Sequence, residues 1–170
     1  MSFIFSIIFI CGSFLIYNRS VLNAWEVKVA HQTKRSSDEP SKYRDIVIHE
    51  FEFFKGNSKL NQSEFSVSTS PPDTHNKMWP KQCIDGNLNT VCGTYPDASP
   101  TYVSVIGPDN ISFDKIKIYN RGWINMNNDC CSYRIVGATV TYSVNNDVKF
   151  RTVLTTMKSI YELQLQGSIF

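Results

Sequence analysis

Apolar and polar positions alternate with period two from Asp45 onward. Ile46, Ile48, Glu50, Glu52 and Phe54 alternate with Val47, His49, Phe51 and Phe53, which predicts a strand with two unequal faces. Shorter runs of the same kind predict strands over residues 65–68, 102–106, 115–119, 135–144 and 160–166. The intervening Lys55-Gly56-Asn57, Pro71-Pro72-Asp73, Asp85-Gly86-Asn87, Gly107-Pro108-Asp109 and Asn145-Asn146-Asp147 carry turn chemistry. Short strands separated by such turns, with no amphipathic helix and no internal repeat, predict an all-β sandwich or barrel.

The N-terminus has a different pattern. Residues 1–17 read MSFIFSIIFICGSFLIY and hold no charged side chain. Arg19 can snorkel, so Val21 and Leu22 extend the apolar run toward the roughly 20 residues a spanning helix needs, with Tyr17 and Trp25 at the interface. A cleaved secretory signal is the competing reading. Against it stand the lack of a basic residue before the run and the bulky first position of Leu22-Asn23-Ala24. The expected organisation is a transmembrane anchor over 1–24, a tether over 25–44 and a β-sandwich domain over 45–170. The tether includes QTKRSSDEPS, which has little to bury. Arg19, Lys28, Lys34 and Arg35 all follow the anchor, so the positive-inside rule puts the domain on the cytosolic side.

Composition narrows the function. The chain of 170 residues has room for one ordinary domain plus an appendage, and its eleven Phe and eight Tyr suit a packed β core. The net charge is +2, with no cationic run beyond Lys34-Arg35, so the stripe that nucleic acid requires is missing. The three histidines, His31, His49 and His75, are scattered, and no nucleophile elbow, His-Glu-x-x-His or phosphate-cradling loop occurs. The chain is expected not to be an enzyme. Cys83 and Cys92 flank a turn and could pair in an oxidising compartment, whereas Cys11 reads as a small hydrophobe. Asn-x-Ser sequons lie at Asn18, Asn61 and Asn110 and would be used only in a lumenal domain.

Three motifs go further. The chain reads Cys83-Ile84-Asp85-Gly86-Asn87-Leu88-Asn89-Thr90, then Ile118-Tyr119-Asn120-Arg121, then Asp129-Cys130-Cys131-Ser132-Tyr133-Arg134-Ile135-Val136-Gly137-Ala138. In this order they resemble the F-type lectin branch of the discoidin, or galactose-binding-like, domains, over about residues 45–167. The resemblance implies an antiparallel jelly-roll β-sandwich with ligand loops at one end. It also implies carbohydrate binding by Arg121 and Arg134, with the adjacent Cys130 and Cys131 packed against the sugar. A calcium ion would be held by Asp85, Asn87 and Thr90 with Glu162 of the closing strand; the alternative is a tight Asp-Gly-Asn turn that needs no metal.

Two departures weigh against the sugar. Gly93 stands where the family has its ligating His, and residues 123–128 insert a loop between Arg121 and Asp129. That loop carries Trp123, Asn125 and Asn127, a composition suited to a protein contact. Two function classes follow. One is a membrane-anchored structural protein docking on a larger assembly, such as a minor capsid or virion membrane protein lying between the inner membrane and the capsid shell of a large DNA virus. The other is a fucose-type lectin displayed at a surface.

Overall fold

Trp25, Val27, Val29 and His31 alternate with Glu26, Lys28 and Ala30, and this alternation makes a strand, β1, over Ala24–His31. The computed structural model describes residues 24–31, 45–95, 100–121 and 132–165. The expected anchor up to Asn23, the expected tether beyond His31, and Trp123, Asn125, Asn127, Cys130 and Cys131 lie outside these residues. Among the described residues, no helix is long and apolar enough to cross a membrane.

The remaining strands are β2 (Val47–Lys55), β3 (Ser58–Lys59), β4 (Ser66–Ser70), β5 (Cys92–Gly93), β6 (Thr101–Pro108), β7 (Lys115–Asn120), β8 (Thr139–Val144), β9 (Asp147–Val153) and β10 (Ile160–Gln164). They form two antiparallel sheets, one ordered β4-β6-β1-β8-β9, the other β10-β7-β2-β3 with β5 also paired to β2. Short strands on two sheets around one core bear out the all-β expectation.

The position of β1 corrects the expected domain boundary. It is the central strand of its sheet, paired along its length with β6 and over six residues with β8. Trp25 was expected at a membrane interface. It is instead 1% exposed, with ring centroids 5.1, 4.9 and 4.7 Å from Phe53, Phe65 and Phe113. The opposing residue on β6 is Gly107, where an added Cβ would come within 2.2 Å of the Trp25 ring. The residue must therefore be glycine for the indole to fit. The tether expected from residue 25 begins no earlier than residue 32.

In β2 the alternation changes phase. Ile46, Ile48, Phe51 and Phe53 are all fully buried, although the first two and the last two have opposite parity. A bulge between Ile48 and Glu50, opposite β7, shifts the register by one residue and turns both pairs into the same core. These residues meet Ile116 and Ile118 of β7 and Val27, Val29, Val103 and Val140 from the other sheet.

Two further expectations change. The strand expected over 135–144 starts at Thr139, because Ser132–Ile135 is a 3-10 turn and Gly137 takes a left-handed φ of 85°. β9 was not expected. It returns from β8 through Asn145 and Asn146, both at positive φ (52° and 67°), which matches the twist of a two-residue hairpin.

The strands run between two poles. Ala24 lies at one, bonded to Asn145 and paired with Pro108, near the Lys55-Gly56 turn through the Lys55–Ser112 bond. His31, Asp45, Thr94, Arg121 and Arg134 lie at the other, the loop pole.

Candidate functional site

At the loop pole the start of β2 is the organising element. Asp45 is almost fully buried, and its carboxylate accepts a charge-assisted hydrogen bond from Arg134 Nη1. Burial works against the Arg134 guanidinium, but Asp45 overrides it and raises the pKa above the usual value. His31, at the end of β1, donates from Nε2 to the Arg134 carbonyl (2.7 Å), fastening the turn that leads into β8. Arg121 directly follows β7, and its backbone N–H donates to the Val47 carbonyl (3.4 Å). The structure therefore attaches both expected sugar-binding arginines to residues 45–47. Arg134 is engaged as a structural ion pair. Asp45 was not among the expected site residues; its signal was a charge directly before a run of apolar residues.

Gly93 is fully buried in β5, with Met78, Val47 and the Ile46 carbonyl all within 3.3 Å of where a Cβ would stand. No side chain from this position reaches a ligand. Thr94 beside it turns inward and accepts the Ile46 N–H at 2.9 Å. Around the pole the exposed aromatic rings of the described residues collect: Trp79 (50% exposed), Tyr95 (51%) and Tyr133 (37%). Bridges between Pro72 and Thr94 and between Asp73 and Met78 join the segments carrying the first two.

The Asp85-Gly86-Asn87 loop is closed by its own groups. Asp85 Oδ1 accepts the Asn87 N–H (2.9 Å), Asn87 Oδ1 accepts the Asn89 N–H (3.0 Å), and Thr90 Oγ1 lies 2.9 Å from Asp85 Oδ2. Gly86 takes a φ of 75°, as such a turn requires. His49 Nδ1 donates to the Thr90 carbonyl (2.8 Å), fastening the loop to the bulge of β2. Three of the four expected calcium ligands, Asp85, Asn87 and Thr90, are thus together. Glu162 is engaged elsewhere: its carboxylate pairs with Lys117 at 2.8 Å on the neighbouring strand, which holds its pKa below the usual carboxylate range. Among the described residues, no group of three or more His, Cys, Asp or Glu side chains could hold a metal. The arrangement matches the tight-turn reading.

Cys83 and Cys92 flank this loop and form a disulfide, with their Cα atoms 5.2 Å apart and both residues fully buried.

Comparison with protein-family models, curated proteins and solved structures finds no match for this chain.

The site that sequence reasoning missed is Glu50. The bulge turns it away from the Phe51 and Phe53 face, the loop around Gly86 covers it until it is 1% exposed, and burial pushes its carboxyl up to about 8. The Gly86 N–H donates to Oε2 (3.3 Å), and Oε1 has no hydrogen-bond partner among the described residues. A cleft of about 320 Å³ opens alongside, lined by Glu50, Lys59, Gln62, Lys81 and Asp85 among others. Burial favours the neutral acid and Lys59 and Lys81 stand among the lining residues, so the cleft is poorly suited to trapping a metal cation.

Proposed function

We propose that the protein is a non-enzymatic, membrane-anchored structural protein whose β-sandwich docks by one end on a larger protein assembly, such as that of a virion. The fold behind this reading is the jelly roll of the discoidin-like domains, on which an old ligand end has become a docking end. The observation that carries it is the polarity of the domain. The apolar residues 1–17 lead into Ala24 at one pole, while Trp79, Tyr95 and Tyr133 are exposed at the other. Exposed aromatics gathered in one region are common anchors of protein contacts. In the sequence, Trp123, Asn125 and Asn127 follow closely after Arg121. Against a sugar site weigh the Arg134–Asp45 pair and the buried Gly93, since a sugar hydroxyl would have to compete with Asp45 for the guanidinium.

The test is release by detergent. The full chain should stay with its protein assembly after lipid is stripped, and the Trp79→Ala/Tyr95→Ala/Tyr133→Ala variant should leave with the micelles while melting like the parent. A parent chain found wholly in the micelles would overturn the docking reading.

A further inference from the structure

Two features of the described domain have no part in docking: the buried Cys83–Cys92 disulfide and the Asn-x-Ser sequons. Disulfides form and persist on the oxidising side of cellular membranes and are rare in the cytosol. Cys83 sits in a 3-10 turn and Cys92 in β5, both fully buried, so the fold itself brings these thiols together.

The sequons point the same way. Asn61 lies just beyond β3, exposed, with Ser63 also exposed; its Oδ1 accepts the Ser63 N–H at 3.0 Å, a bond that involves no core residue. Asn110 and Ser112 are likewise exposed, on the turn that leaves β6. Both asparagines stand on irregular backbone outside the sheets, where an attached glycan displaces no core residue.

We infer that the sandwich faces an oxidising, lumenal or extracellular space and is N-glycosylated at Asn61 and Asn110. The donor is a lipid-pyrophosphate-linked oligosaccharide. Asn Nδ2 forms a bond to its anomeric carbon as the C–O bond to pyrophosphate breaks. The amide loses one proton, and the lipid pyrophosphate departs. This orientation is opposite to that expected from the cations after the apolar run. Those cations are a thin flank: only Arg19 adjoins the run, and Lys28 lies within β1 with its Nζ 4.1 Å from the Tyr102 ring centroid.

The experiment expresses the full chain in cells with a secretory pathway and compares gel mobility before and after peptide N-glycosidase F. Asn18→Gln serves as background, because Asn18 adjoins the apolar run. Two glycosidase-sensitive steps are expected. Asn61→Gln should remove one, Asn110→Gln the other, and the double variant both. Cys83 and Cys92 should resist maleimide in denaturant until a reductant is added. A chain whose mobility the enzyme leaves unchanged, or whose two thiols react without reductant, would overturn the inference and restore the cytosolic orientation. A single step removed entirely by one variant would overturn the assignment of the other asparagine. None of these outcomes depends on whether the loop pole docks on a partner.

Discussion

Glu50 shows how one residue can couple the fold to pH. Its carboxyl is raised from 4.5 to about 8, with desolvation the largest cause and the Gly86 hydrogen bond only partly opposing it. Because the folded protein holds this proton more tightly than the unfolded chain, the group's contribution to stability is complete below pH 4.5. It is lost as the pH rises toward 8, at up to about 1.4 kcal/mol per pH unit. Glu50→Gln should flatten that slope and leave the variant about 2–4 kcal/mol more stable than the parent at pH 9, as read from urea midpoints. Equal midpoints at pH 9 would show that the acid ionises without cost. The residue was illegible in the sequence because a charged residue two places from Glu52 reads as solvent-facing, and the loop around Gly86 that buries it is 36 residues away. Arg134 was found through its motif, but its role was not. The partner that occupies it, Asp45, comes from the far end of an 89-residue separation that no local pattern spans.

At the scale of elements, alternation located β7 and β10 because each turns one face more deeply into the core than the other, and β2 and β6 through their runs of apolar residues. β1 has equally clear alternation, iBiBiBiB in burial, yet its position beside an apolar run made Trp25 look like an interfacial aromatic. Nothing local distinguishes a tryptophan at a bilayer surface from one facing Gly107. β9 was missed for another reason. It is an edge strand, and Val148 and Val153, each about half exposed, bury too little to leave a period. The central place of β1 has a direct consequence for truncation. A chain beginning at residue 24 should fold, whereas one beginning at residue 40 should not. The shorter piece loses the Trp25, Val27 and Val29 side chains, each worth roughly 1.5–3 kcal/mol or more on burial, and leaves β6 and β8 without the strand that joins them. Circular dichroism and amide dispersion of the two pieces decide it. A cooperative melt from the residue-40 chain would place β1 outside the essential fold.

For the whole molecule, the two poles have different chemistry. The Ala24 pole carries the Lys55-Gly56-Asn57 turn, the crossover after Pro108 and the Asn145-Asn146 hairpin, which are polar and tightly hydrogen-bonded. The loop pole carries the exposed rings, and the segments that leave the described structure at His31, Tyr95 and Arg121 depart from it. With β1 starting at Ala24, a membrane segment ending near residue 22 would hold the domain close to the bilayer and present the loop pole away from it. The most direct measurement is photo-crosslinking of the full chain in its membrane, with a photoreactive phenylalanine analogue in place of Tyr95 or Tyr133 at one pole, and of Asn57 or Asn146 at the other. The account predicts protein adducts from Tyr95 and Tyr133, and lipid adducts from Asn57 and Asn146. Lipid adducts from the Tyr95 and Tyr133 positions, with protein adducts from Asn57 and Asn146, would contradict it.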